Sequence, residues 1–190
     1  MINIREYIEK TVAVSDADWQ LFSSKLKVRT FKKKTTILGV GETENYISFI
    51  EEGIARFLIP KEDEEKDLTF GFCFKNEFVS AYDSFLTRKP SLYKLQALSD
   101  ITMWSISHED LQEVYEKSFA GNVIGRLSSE RLFLIKSKRE QSLLNESAED
   151  RYLNLFTERP NLIKEIPLKY VASYIGVTPQ ALSRIRKRIS

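Results

Sequence analysis

Near Ser107 the apolar periodicity of this chain switches from two residues to about 3.6, and that switch limits the folds open to it. From Val28 to about Ile106, short apolar runs are separated by turn signals. "NYISFIEEGIARFLIP" predicts two strands around Gly53, where a turn or bulge is expected. "DLTFGFCF" alternates, with Leu68, Phe70, Phe72 and Phe74 on one face and Thr69, Gly71 and Cys73 on the other. Two more strands are read in "SLYKLQALSD" and "ITMWSIS", and "KEDEEKD" reads as a solvated hairpin tip. Many short strands of this kind predict a small barrel or jelly roll. Ahead of them the first 25 residues read as helical, with Ser15 capping "DADWQLF" and Trp19 and Phe22 on one side.

Past Ser107 the pattern is helical. "HEDLQEVYEK" opens with acids after a serine cap. Residues 119–145 predict one long helix, of which 119–144 span about 39 Å at about 1.5 Å per residue. Its apolar stripe, Ile124, Leu127, Leu134 and Ile135, is too narrow for a core helix. Such a helix either lies along the barrel or pairs with its own copy as a coiled coil, and the wide polar face favours pairing. Gly121 and Gly125 weaken its first half by about 1 kcal/mol each relative to alanine. Ser147 with Asp150 resembles a capping box, followed by a helix that turns Tyr152, Leu153, Leu155 and Phe156 inward. Pro160 is expected to end that helix and Pro167 to stand at the start of the next. The fold class expected is α+β: an N-terminal β-barrel or jelly roll with flanking helices, a long dimerisation helix, and a C-terminal helix-turn-helix, winged-helix-like domain. The boundaries expected are 1–118, 119–145 and 146–190, with a hinge at Asn145–Ser147.

Charge is distributed unevenly. From Ile166 to the end there are five cations (Lys169, Arg184, Arg186, Lys187, Arg188) and no carboxylate, so the remainder holds 24 cations and all 27 acids. A compact basic segment on a slightly acidic body is the footprint of a polyanion-binding surface. The plain alternative, a solvated basic tail, is opposed by the apolar periodicity of the same segment. In "LKYVASYIGVTPQALSRIRK", Val171 and Ile175 lie four apart, Ala172 is small where two helices would cross, and Gly176 suits a left-handed turn. Val177 plugs the corner, Thr178 N-caps a second helix, Pro179 takes its first position, and Leu182 and Ile185 face back. The outward face keeps Pro179, Gln180, Ser183, Arg184 and Lys187.

This spacing resembles the helix-turn-helix, and the order of barrel, long helix and helix-turn-helix resembles the Crp/Fnr family of bacterial transcription regulators. Gly41 and Gly53 fall at the family's turn glycines, and "KNEF" looks like its Gly-Asp-Phe corner. The resemblance implies a cytoplasmic homodimer paired through the long helix. It also implies a two-fold operator in double-stranded DNA and RNA polymerase as a further partner. A recognition helix at about 178–189 would lie in the major groove. Arg184 would read guanine and Gln180 adenine, while Lys169, Arg186, Lys187, Arg188 and the helix start at Thr178 hold phosphates.

The departures concern the barrel. The family's nucleotide binders carry Gly-Glu and Arg-Ser pairs that take the ribose and the cyclic phosphate. Here those positions fall on Ser80-Ala81 and near Ser91-Leu92, with Arg88 and Lys94 close but out of place. Burying a phosphate without a cation is costly, so no cyclic AMP response of the usual kind is expected. The inward set is expected to be aromatic, comprising Phe49, Phe57, Phe70, Phe72, Tyr82 and Tyr93. It either packs solid or leaves a pocket for an effector of unassigned chemistry.

Cys73 reads as a small buried hydrophobe, and the single cysteine rules out an internal disulfide and an iron–sulfur set. The lone His108 reads as a surface or capping residue. No metal site, cofactor or catalytic group is expected, and nothing in the chain has the residues of an enzyme. No apolar run approaches the roughly 20 residues that span a bilayer. A regulator of transcription is the first reading. The alternative is a ligand- or partner-sensing barrel whose terminal hairpin docks protein rather than DNA.

Overall fold

Both faces of the central N-terminal strands, residues 46–52 and 101–107, are covered, and this decides where each of their side chains goes. The computed structural model describes residues 2–189; Met1 and Ser190, the outer bounds of the expected domains, lie outside them. Two helices, α1 (Ile2–Glu9) and α2 (Asp16–Ser24), precede strands β1 (Lys27–Phe31), β2 (Thr36–Leu38), β3 (Tyr46–Glu52), β4 (Ala55–Ile59), β5 (Leu68–Cys73) and β6 (Phe78–Val79). A short helix α3 (Tyr82–Thr87) interrupts them before β7 (Lys94–Ala97) and β8 (Ile101–Ser107). The strands form two four-stranded sheets, β1-β8-β3-β6 and β2-β7-β4-β5, the jelly-roll arrangement expected.

Between the sheets lies a mainly aliphatic core: Leu38, Ile50, Ala55, Val79, Ala81, Leu95, Ala97, Ile101 and Met103. Only Phe31, Phe57 and Tyr93 bring aromatic rings to it, together with Cys73 and Ile37. The expected aromatic interior is therefore corrected in part: Phe57 and Tyr93 face it as expected, whereas Phe49 and Tyr82 do not. Phe49 and Trp104 are directly paired across β3 and β8, and they pack on the outer face against Ile4 and Ile8 of α1. Tyr7, Phe49 and Phe78 meet there edge to face, with centroids 5.1–5.6 Å apart. Tyr82 joins the cluster of Phe85, Ile106, Leu111 and Val114 under the helices. The inner face of the same strands carries a buried serine pair, Ser48 and Ser105, whose hydroxyls bond at 2.7 Å. Period-two alternation held in β3 and β8, but both of its faces are apolar because helices cover the outside.

Gly53 turns β3 into β4 at φ +98°, and a Cβ there would lie 2.3 Å from the Asp100 carbonyl oxygen, so only glycine fits. Along β5, Leu68 is exposed and Thr69 buried, against the expected alternation.

Helices follow: α4 (His108–Lys117), α5 (Phe119–Asn145), α6 (Ala148–Glu158), α7 (Pro160–Glu165), α8 (Leu168–Tyr174) and α9 (Pro179–Ile189). The two glycines of α5 that look like weak points are packing sites. A Cβ at Gly121 would meet Val114 at 2.9 Å, and one at Gly125 the Tyr115 hydroxyl at 2.7 Å. Ser147 and Asp150 close the capping box at 3.1 and 3.2 Å. Pro160 does not simply end α6. It is the first residue of α7, a one-and-a-half-turn helix that the sequence reading did not include. Among the described residues no strand follows Ser107, so α6–α9 carry no β wing.

By contacts the chain divides into two units. One holds the chain up to Leu58 with Phe72–Ser129, the other Ile59–Gly71 with Glu130 onward. In the second unit the β4–β5 hairpin tip sits on α8. The Ser173 hydroxyl accepts from the Thr69 N–H at 2.8 Å and donates to the Asp67 carbonyl at 2.9 Å.

Candidate nucleic-acid interface

The turn between α8 and α9 is held by backbone geometry the residues demand. Gly176 adopts φ +80°, its N–H donates to Ser173 O at 3.1 Å, and the Val177 N–H donates to Ala172 O at 3.0 Å. This pair is a Schellman closure, and a β-carbon at the glycine would be strained. The Thr178 hydroxyl accepts the Ala181 N–H at 3.2 Å as N-cap, and Pro179 takes the first position without losing a needed donor. Val171, Ala172, Ile175, Leu182 and Ile185 are all buried and Val177 is half-buried. The unit is anchored from both sides. Arg151 of α6 donates to Ile175 O at 2.8 Å, and Arg139 of α5 lies 4.2 Å over the Tyr174 ring. Burial there pushes the Arg139 guanidinium pKa down.

At about 100° per residue, burying Leu182 and Ile185 turns Gln180, Ser183, Arg184 and Lys187 to the opposite side of α9. All four are exposed, as are Lys169, Thr178, Pro179 and Arg188. The first turn of α9 holds no acid, and its last turn holds Arg186, Lys187 and Arg188. Arg188 is engaged, pairing with Glu149 of α6 at 2.7 Å. Lys169 lies 5.1 Å over the Tyr170 ring at the start of α8. The role of Glu149 was not legible in the sequence, because it depends on how α6 crosses α9.

The four residues expected to pair long helices are placed differently from one another. Ile124 is half-buried and packs with Ile4, Ile8 and Phe49 of its own chain. Leu127 is half-buried, whereas Leu134 (66%) and Ile135 (50%) are exposed, as are Phe133 and Leu144 further along α5.

In the barrel, the positions aligned with the family's nucleotide-binding pairs carry other interactions. The Ser80 hydroxyl donates to Tyr46 O at 2.9 Å. Ala81 N-caps α3 with no side-chain bond, and its N–H donates to Glu44 Oε2 at 3.3 Å. Asp83 in the first turn accepts the Tyr93 hydroxyl. Burial, then Asp83, pushes the Tyr93 pKa up. Ser91 is turned onto its own loop, donating to Tyr93 O at 2.9 Å, and Leu92 is exposed. Arg88 caps α3 at φ 58° and donates to Glu44 O at 2.7 Å and Asn45 Oδ1 at 2.5 Å. Glu44 and Asp83 put two carboxylates at this helix start and Arg88 is engaged, so the residues here do not fit a cyclic phosphate in the way of the family's nucleotide binders. Arg56, 3% exposed, does not change this. Ala55 and Phe57 join the inner core, so alternation puts Arg56 on the other face of β4, where its Nη1 meets Gln96 Oε1 at 3.4 Å. His108 packs its ring 5.0 Å from Phe85 behind the Ser107 cap. No cluster of potential metal ligands occurs among the described residues, and none of their helices is long and apolar enough to cross a membrane.

Residues 28–118 match the family described as cyclic nucleotide-binding domain. No curated protein sequence matches the chain significantly. Solved structures do. One is the c-di-GMP responsive global regulator CLP of Xanthomonas campestris, at TM-score 0.68 and 18% identity, covering 92% of this chain and 91% of that one. Another is FixK2 of Bradyrhizobium japonicum, at TM-score 0.71 and 13% identity, covering 86% and 84%. A third is a transcriptional regulator of the crp/fnr family from Eubacterium rectale, at TM-score 0.64 and 18% identity, covering 92% and 83%. Residues 28–118 thus match a cyclic nucleotide-binding domain, and the fold of the chain is similar to that of these solved regulators.

Proposed function

We propose that this protein is a dimeric, sequence-specific DNA-binding transcription regulator of the Crp/Fnr type, working in the cytoplasm. The observation that carries the reading is the face of α9: an N-capped helix on a tight glycine turn, acid-free in its first turn, exposing Gln180, Ser183, Arg184 and Lys187. In this reading the segment 1–118 is a sensor, 119–145 the pairing helix and 146–190 the DNA-binding domain. Arg184 supplies the bidentate base contact and Gln180 a second one. Lys169, Lys187, Arg188, Thr178, Pro179 and Ser183 set the helix against the backbone. Arg188 does so by exchanging Glu149 for phosphate. The exposed Leu134 and Ile135, continued towards Leu127, are the seam on which two long helices pair, with Ile124 at its inner edge. The carboxylates at the start of α3 support the further reading that cyclic AMP is not the signal.

The test is selection of bound duplexes from a random pool by the purified chain without added ligand, with salt stepped upward. The expected result is an inverted repeat with half-sites about 34 Å apart. Affinity should fall steeply with salt because phosphate contacts release counterions. Failure to enrich any repeat, alone and with a metabolite extract, would overturn the reading.

A further inference from the structure

A cavity of about 410 Å³ opens in the first unit, on the side of Glu44 facing β1 and β2. It is lined by Arg29 of β1, Ile37 and Leu38 of β2, and Glu42, Thr43, Glu44, Asn45 and Tyr46 leading into β3. Its size lies within the range of small-ligand sites. Two of its charges are set in place by the fold. Glu44 is only 5% exposed, and its carboxylate accepts the Tyr46 N–H at 3.0 Å and the Ala81 N–H at 3.3 Å. The Asn45 N–H also acts on this carboxylate, so of its roughly four acceptor sites about one remains. Arg29 is half-buried and held between rings, its guanidinium 4.4 Å over Tyr46 and 5.0 Å over Phe31.

The two groups feel each other across the cavity, yet no direct ion pair joins them. Burial dominates both: it pushes the Glu44 pKa up and the Arg29 pKa down, against the pull of the opposite charge. Each is a desolvated ion lacking a close counterion, an arrangement that costs free energy unless something completes it. A simple anion would meet Glu44 and Glu42 as well as Arg29, and a simple cation would meet Arg29. A molecule carrying both charges a few ångströms apart satisfies the two walls together. Ile37 and Leu38 add an apolar side to the space.

We infer that this cavity binds a free α-amino acid with an apolar side chain, its carboxylate on Arg29, its ammonium on Glu44 and its side chain against Ile37 and Leu38. The site is independent of the proposed DNA surface and its test uses no DNA. Because Glu44 also holds the Ala81 N–H, occupancy reaches the start of α3 through one side chain.

The experiment is titration calorimetry of the full wild-type chain with L-leucine, L-leucine methyl ester and N-acetyl-L-leucine, with L-alanine and L-phenylalanine to grade the apolar wall. L-Leucine is expected to bind with a Kd of about 1 mM or tighter, and each derivative, lacking one charge, about tenfold or more weaker. In Arg29→Gln, L-leucine should fall to the level of its ester while the ester is unchanged. The ester comparison on wild type stands even where a variant is poorly folded. No binding of any of the free amino acids at about 10 mM overturns the assignment. So does equal binding of leucine and either derivative, which would mark a site for one charge only.

Discussion

The starts of α3 and α9 are both helix openings with free first-turn N–H groups to satisfy, and they differ in what stands around them. At α3 the N-cap is alanine, its N–H is taken by the Glu44 carboxylate, and Asp83 follows in the first turn. At α9 the N-cap is Thr178, the first turn has no acid, and the helix ends on three cations. A helix start favours negative charge. At α3 that preference is met from within the chain, and at α9 it is left to the surroundings. The fold alone therefore does not say where an anion goes; the residues next to each opening do.

The largest effect is expected from removing the platform under α9. Leu182, 1% exposed, truncated in Leu182→Ala should cost about 2–5 kcal/mol. Denaturant titration reads it, and DNA binding should fall with it, which separates platform from contact. Next, Arg184→Ala should leave stability unchanged while weakening DNA binding by about 1–3 kcal/mol and relaxing one base position in a repeated selection. Equal affinity of parent and variant would break the proposed difference between the two helix starts. Thr178→Ala should cost about 1 kcal/mol of stability through the lost N-cap, measured by thermal unfolding.

The smallest effect concerns the closed opening. The Glu44 pKa is raised by burial, so the folded chain holds a proton that the unfolded chain has released just above pH 4.5. Stability from this group is present below that pH and declines as pH rises through the folded value. Glu44→Gln should flatten this decline in melting temperatures scanned upward from pH 4.5, and cyclic AMP should leave both melting curves where they are.

The α8–α9 hairpin was legible in the sequence because its determinants are local: Gly176 at positive φ, Thr178 as cap, and burial at helical spacing. The long helix and the capping box at Ser147 were legible for the same reason. The barrel interior was not. Alternation in "YISFI" separates Ser48 and Ile50 from Ile47 and Phe49, but nothing in it says which set faces the other sheet and which the helices. Phe49, Phe78 and Trp104 went to the helix side, where broad rings fill the gap between a sheet and α1. The short helices α3 and α7 escaped because six residues carry little periodicity. Pro160 reads equally as a stop and as a start. Arg29 and Glu44 gave no signal at all, since one lies on β1 and the other in the loop before β3, and only the fold brings them to one cavity.

The double duty of Glu44 also bears on how such a chain changes over generations. Shortening that side chain strands two buried N–H groups, those of Tyr46 and Ala81, at about 1–3 kcal/mol each, against a total stability of about 5–15 kcal/mol. Adding an arginine at α3 while Glu44 stays only supplies the carboxylate with a partner. A phosphate-accepting opening there therefore couples two changes, loss of the Glu44 carboxylate and gain of a cation, each of which does little or harms stability when made alone.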